Sequence, residues 1–352
     1  MDTKTLALFQ TLTELPGVPG HEQQVRAFMR EQLTPYADEI IGDRLGSIFG
    51  VKHGPAGAPK VMVMGHMDEV GFMVTAITAY GMLKFVPLGG FRPQVLLGQR
   101  VRVMTSTKQL DGIIMTSPAF LQDNERAVPI DKLFIDIGVS TKQAAVDAGI
   151  VPGQQAVFHS PFTPLVDGKH IMAKAWDNRY GVGLAIELIQ ELHGEQLPNQ
   201  LYAGASVQEE VGLRGAQTAA QLIQPDIAYI VDASPELSFA GDTEAMGRLG
   251  DGTLLRIMDA TMITDRRLVE FITDIAQTYH IKYQYYVGKG GTDAGRVHLS
   301  GIGVPSTVVG ICARYAHSGA SIIHTEDYAQ AKELLKQLVR HTDATMLKTV
   351  TE

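Results

Sequence analysis

Four apolar, strand-like runs in this chain end on acidic or imidazole side chains, and that recurrence limits the folds open to it. KVMVMGHMD ends on His66 and Asp68, LYAGASVQEE on Glu209 and Glu210, IAYIVD on Asp232, and PSTVVGICARYAH leads to His317. In a further segment, KAWDNRYG, Asp177 opens a helix. Open α/β sheets collect their chemistry at strand ends, where the connecting loops converge. The chain therefore reads as an α/β protein whose polar side chains gather at one edge of a sheet.

At 352 residues the chain is long for one core, and the prior of roughly 150 residues per domain points to two. Leu8, Leu12 and Leu15 recur at helical spacing, and after the turn ELPGVPGHE a second helix is expected from about Glu22 to Leu33, with Val25, Phe28, Met29 and Leu33 on its apolar face. Strands follow at EIIGD, SIFGVK and KVMVMGH. From Val70 to about Pro164 helical periodicity fades into short β-rich runs divided by Gly and Pro, which reads as a β-rich insertion over 70–164 in a domain made of 1–69 and 165–352. Helices are then expected at about 178–192, 215–222, 266–279 and 328–346, with strands at GTLLRIMD and KYQYYV. The Gly-rich KGGTDAG lacks the Lys-Ser/Thr ending of a phosphate loop.

Charge and cysteine usage exclude several classes. A net charge of −8 without Lys/Arg runs argues against nucleic acid or an anionic membrane as partner. No apolar run approaches the roughly 18 residues of a membrane span. A single cysteine, Cys312, rules out an intrachain disulfide and a thiolate zinc site, so any metal must bind through oxygen and imidazole. No secretion signal is visible, and a cytoplasmic protein is expected.

Taken singly, the motifs have ordinary readings: a surface histidine beside an acid, a helix cap, a turn residue, a core histidine. Together they ask for one explanation, because buried carboxylates and imidazoles are costly unless paired or metallated. In HMD, Asp68 stands two residues from His66 and can hold the imidazole from behind. Adjacent residues in an extended segment point opposite ways, so Glu209 and Glu210 can divide two roles, one on metal and one on water.

The ordered set GHMDEVGFM, AWDNRYG, VQEEVGLRGA, IVDASP, GGTDAG and ARYAHS, with VPLGG and GRLGDG besides, resembles the dinuclear aminopeptidases that assemble into tetrahedral particles, most closely their glutamyl branch. The resemblance implies a three-layer α/β/α catalytic domain with a PDZ-like β insertion that builds dimers, and six dimers in a hollow homo-oligomeric dodecamer. It implies two divalent ions, zinc or cobalt with manganese also compatible. Asp177 would bridge them, with Glu210 and His317 completing one site and His66 and Asp232 the other. Glu209 would be the general base, Asp68 would orient His66, and Thr292 with Asp293 would line the substrate pocket. Small peptides would be the substrates. A glutamyl preference needs a cation in the first side-chain pocket, for which Arg248 and Lys289 are the candidates. A dinuclear deacylase or carboxypeptidase of the same superfamily is the alternative.

Overall fold

A computed structural model describes residues 1–121, 127–236, 238–241 and 246–352. The apolar runs pair into an eight-stranded mixed sheet in the order Glu39–Gly42, Ile48–Lys52, Gln200–Ser206, Lys60–His66, Ile227–Pro235, Ser306–Ala313, Thr253–Met258 and Tyr283–Val287. The central four, from Gln200–Ser206 to Ser306–Ala313, run parallel. They are buried almost continuously, as strands covered on both faces must be.

Helices Thr3–Glu14, Gln23–Leu33, Trp176–Glu191, Arg266–Thr278 and Thr325–His341 cover one face, sharing a core that includes Phe9, Met29, Trp176, Ile272 and Leu335. Arg214–Ile223 and Asp293–His298 cover the other through Ala216, Ala219, Ala294 and Val297. The result is a three-layer α/β/α body. The chain leaves Lys60–His66, returns beside it as Gln200–Ser206, then crosses to its other side as Ile227–Pro235. That reversal opens a crevice beyond His66, the position where such sheets bind ligands. Close packing holds it there: a Cβ on Gly65 would meet the Gly181 backbone at 2.9 Å, so only glycine lets helix Trp176–Glu191 lie this near the strand.

The β-rich stretch closes into a six-stranded barrel, in the order Gly71–Ile77, Leu83–Leu88, Phe134–Asp136, Gln109–Met115, Arg100–Met104 and Gln155–Phe158. All its strand pairs are antiparallel. Closure leaves no free edge, and Phe72, Phe85, Val101, Val103, Ile114 and Phe158 fill the interior.

Three local expectations differ from the structure. Helix Lys142–Asp147 interrupts the β texture, started by Thr141, whose hydroxyl accepts the Ala144 N–H at 3.1 Å. The expected terminal helix is two, Thr325–His341 and Ala344–Thr351, because Thr342 is extended and Asp343 caps a new start by accepting the Met346 N–H. In the first helix Phe9 and Leu12 are buried, whereas Leu15 forms its cap. Among the described residues no helix is long and apolar enough to cross a membrane.

Candidate metal centre

Strand register aligns the first components. Ser206 pairs opposite His66, and Ile230 opposite Met64, so Asp232, two residues on, falls level with His66 at the same sheet edge. Asp177 arrives from helix Trp176–Glu191 at a kink where Asp177 and Asn178 leave helical φ/ψ. The kink is pinned to the neighbouring strand: Asn178 Nδ2 donates to Val231 O at 2.6 Å and Tyr180 donates to Asp232 O at 2.7 Å. His317 comes from the loop beyond Ser306–Ala313.

Asp177 stands between the two imidazoles. Its Oδ1 lies 3.2 Å from His66 Nε2 and its Oδ2 3.5 Å from His317 Nε2. Asp232 Oδ1 and Glu209 Oε2 each lie 3.9 Å from His66 Nε2, and Glu210 Oε2 lies 3.6 Å from His317 Nε2. Two triads, His66 with Glu209 and Asp232 and His66 with Asp177 and Glu210, each offer ligand atoms within 4.8 Å of one another.

The donor set fits divalent cations. His66 Nδ1 donates to the Asp68 carbonyl at 3.0 Å, and His317 Nδ1 to the Gly90 carbonyl at 2.8 Å. Each bond leaves Nε2 as the nitrogen that faces the cluster, the one a cation would take once it displaces the proton. Glu210 Oε1 is buried without a hydrogen-bond partner, as a donor atom awaiting a cation would be. All contributing atoms are nitrogen or oxygen, which suits zinc, cobalt or manganese.

Electrostatics shows the same potential. Burial alone pushes Asp177 up, but hydrogen bonds and charge from His317 and His66 hold it well below the ordinary carboxylate range. Burial drives Glu210 up to about 8, with His317 opposing and Asp177 assisting. It drives Asp232 up to about 7 and Glu209 well above its usual range. Burial would lower His317, yet Asp177 and Glu210 raise it to about 10. The site is a place of strong negative potential in a dry environment, which a cation relieves.

Each expected residue has a definite place. His66, Asp68, Asp177, Glu209, Glu210, Asp232 and His317 come together. Glu209 and Glu210 are not splayed by an extended strand, which stops at Ser206. They follow Gln208, at φ 56°, and their N–H groups donate to Asp68 Oδ1 and Oδ2, both at 3.0 Å. Asp68 thus serves His66 mainly through its carbonyl, its carboxylate being engaged by two amides. Thr292 and Asp293, expected on the pocket wall, are buried, at 2% and 1% exposure, and turn to Asp259 at 3.1 Å and Ser206 at 2.5 Å. Asp293 Oδ1 is buried without a hydrogen-bond partner. Arg248 and Lys289 lie outside the cluster, on exposed loop surface.

Sequence reading missed the supports beneath. Fully buried Arg179 donates to the carbonyls of Met67, Leu12 and Leu15 and pairs with Glu69, which also holds Lys174 at 2.7 Å. Glu69 follows HMD directly, and Lys174 and Arg179 flank WDN, but nothing in that spacing tells which backbone groups they reach. Gly90 lies within VPLGG, which entered the sequence reading only through the resemblance.

A three-layer α/β/α body with imidazoles and carboxylates converging beyond its parallel strands defines a hydrolase of the metallopeptidase class. The sequence profile described as M42 glutamyl aminopeptidase matches residues 46–334, and the chain belongs to this family. It is a hydrolytic aminopeptidase. A glutamyl aminopeptidase of Lactococcus lactis subsp. cremoris is 38% identical over 336 residues, covering 94% of each chain. A lysyl aminopeptidase of Pyrococcus furiosus is 32% identical, covering 94% of this chain and 96% of its own. Among solved structures, a TET aminopeptidase from Thaumarchaeota archaeon SCGC AB-539-E09 superposes with a TM-score of 0.96 at 37% identity, covering 99% of this chain and 100% of that one. The Pyrococcus horikoshii TET1 peptidase, which can assemble into a tetrahedron or a large octahedral shell, gives a TM-score of 0.87 at 30% identity, covering 96% and 100%.

The charge pattern predicts how stability depends on pH once divalent ions are chelated away. Glu210, Asp232 and His317 have folded values of about 8, 7 and 10, above their reference values of 4.5, 3.8 and 6.5. A raised group contributes stability below its unfolded value and loses it as pH climbs through the folded one. Asp177, being depressed, has the opposite sign, and its contribution is lost only on acidification. Chelator-treated protein should therefore melt at a higher temperature near about pH 5.5 than near about pH 8.5, and added zinc should stabilise it more at the higher pH. Equal or greater stability at the higher pH without metal would contradict this charge assignment.

Proposed function

We propose that this chain removes N-terminal residues from small peptides using two divalent ions, one held by His66, Asp177 and Asp232 and the other by Asp177, Glu210 and His317. The observation that carries the reading is Asp177, whose two oxygens each face a different imidazole. When bound, such ions make a water nucleophilic near neutral pH and polarise the scissile carbonyl. Glu209 is the general base. Its side chain is 11% exposed against 5% for Glu210, so it borders the open side of the cluster, and burial gives it the affinity to hold a proton. It takes the proton from water and returns it to the amine that leaves as the C–N bond breaks. Asp68 fixes Glu209 and Glu210 by their amides and His66 by its carbonyl. A cytoplasmic location belongs to the same reading, supported by the lone, buried thiol of Cys312.

A preference for N-terminal Glu or Asp is supported by the 38% identical glutamyl aminopeptidase. Of the two candidate cations, Arg248 has the better topological position. Its loop enters strand Thr253–Met258, where Leu254 pairs with Gly310, itself the partner of Asp232. The loop therefore lies at the metal edge, anchored by Asp327, which accepts the N–H groups of Gly250 and Gly252.

The barrel, within a dimerisation unit spanning 70–164, is proposed to join subunits into dimers, six of which make a tetrahedral particle around catalytic units formed by 1–69 and 165–352. The tetrahedron formed by the Pyrococcus horikoshii relative supports this, as do apolar side chains that the insertion leaves exposed, such as Tyr80 at 77% and Val151 at 53%.

Glu209→Gln is expected to keep its bound metal while turnover falls by about a hundred- to ten-thousandfold, since the amide preserves shape but cannot take a proton. Metal lost in parallel with activity would make Glu209 a ligand instead. Asp177→Ala should release both ions together, and one ion retained at full occupancy would mean the bridge is misplaced.

For specificity, loss of a charge-assisted contact to the substrate carboxylate should cost about 1.5–3 kcal/mol, roughly ten- to a hundredfold in kcat/KM on glutamyl substrates. Leucyl substrates should change much less. Equal loss on both from Arg248→Ala and Lys289→Ala would exclude both cations as readers of the side chain. Assembly is decided by sedimentation of a chain lacking 70–164. Because the deletion also removes Gly90 from His317, particle size rather than turnover is the readout. Particles of about twelve folded subunits would overturn the barrel's role.

A further inference from the structure

The turn PGVPGHE ends on Glu22, an acid with 4% exposure in a segment that the chemistry described above does not use. It occupies the N-cap position of helix Gln23–Leu33 but makes no side-chain capping bond to that helix. Its Oε1 instead accepts the Gly20 N–H at 2.9 Å and, from a loop distant in sequence, the Gln208 N–H at 3.1 Å. Gln208 is a non-glycine residue at φ 56°, a conformation that persists only when its surroundings impose it. The next two N–H groups, of Glu209 and Glu210, donate to Asp68. Three successive amides are thus held by two buried carboxylates.

From this geometry we infer that Glu22 is a positioning residue for the catalytic carboxylates. Holding the Gln208 amide maintains the left-handed turn that sends Glu209 toward His66 and Glu210 toward His317. Asp68 fixes the two following amides, and the carbonyl of the peptide before them, Val207 O, accepts the Gly215 N–H at 2.9 Å, so Glu22 supplies the restraint on the amide side of that peptide. Loosening that side would shift the base and a ligand together. The inference rests on the roles proposed for Glu209 and Glu210, and it adds a requirement: the N-terminal turn must dock for the pair to be aimed.

The test compares Glu22→Gln, Glu22→Asp and Glu22→Ala in the full-length, zinc-loaded protein. Gln keeps an oxygen acceptor at the same reach and should retain turnover within about threefold. Asp keeps the charge but shortens the reach, and it should lose more than Gln. Ala should lower kcat by about ten- to a hundredfold, the usual consequence of misplacing reacting groups by about 1 Å, with KM little changed. Hydrogen exchange of the segment 207–212 should quicken in Ala and Asp but not in Gln, a readout independent of turnover. In a Glu209→Gln background, Glu22→Ala should cost less further kcat than it does with Glu209 present, because the base it aims is gone and only the displacement of Glu210 remains. If Glu22→Ala does not fold, the Asp and Gln comparison carries the same decision. The inference fails if Asp and Gln behave alike, if exchange in 207–212 is unchanged, or if the Glu22→Ala loss is undiminished without Glu209. A Glu209→Gln variant that retains turnover would instead overturn the assignment of the base, a separate result.

Discussion

Carboxylates crowded into a dry pocket repel one another, and much of the structure around this sheet edge answers that repulsion. Asp68, Asp177, Glu209, Glu210, Asp232 and Asp293 converge on two imidazoles, and burial pushes four of them toward protonation. The protein meets the charge in distinct ways. Backbone amides hold Asp68, the Ser206 hydroxyl holds Asp293, and buried Arg256, bonded to Ser234 Oγ at 2.8 Å, adds positive charge near Asp232. The remaining negative potential is left for the cations the site is shaped to bind. Neutralising every carboxylate with fixed protein groups would have stabilised the apo fold but closed the site to metal.

Aiming the ligands is a backbone problem. Ala175, Gln208, Tyr315 and His317 all have positive φ, and each is one of the clustered residues or stands within two positions of one. Such conformations are disfavoured for residues with a Cβ, so neighbouring contacts must hold them. Arg179 provides one frame, tying the end of the first helix to the turn after His66, while Glu69 and Lys174 complete a buried ion-pair group beneath it. Removing one partner would strand a charge in the interior, so this frame specifies one arrangement even if its net stabilisation is small.

The residues that cluster at this sheet edge were legible in the sequence because strands covered on both faces are apolar, so a polar side chain at the end of one stands out. His66, Asp232, Glu210 and His317 could be picked out in this way. Their supports could not. Arg179, Glu69 and Glu22 act by reaching backbone groups on other elements, and no local spacing encodes which carbonyl or amide they find. The same limit applies to Thr292 and Asp293, whose hydrogen bonds to Asp259 and Ser206 their Gly-rich loop does not announce; helix Asp293–His298 packs Ala294 and Val297 against the sheet and carries Asp293 inward with them. The apolar periodicity of the terminal helix continues through Thr342 and predicts one helix, whereas the extended Thr342 and the cap made by Asp343 divide it in two.

The barrel also bears on the chemistry. Gly90 lies just after a barrel strand, and its carbonyl accepts from His317, the most exposed of the clustered ligand side chains at 38%. Gly89 passes so close that a Cβ there would meet Val70 at 2.5 Å and Glu210 Oε2 at 3.1 Å. Its φ of 94° is likewise open to glycine rather than to residues with side chains. Two glycines thus bring the insertion's backbone against both His317 and Glu210. A displacement of the barrel relative to the sheet would alter the orientation of His317 before it disturbed His66, whose Nδ1 is held within the sheet's own turn by Asp68. One imidazole is therefore set by the α/β body and the other by the insertion, so the geometry between the two ligand groups depends on how the two parts pack.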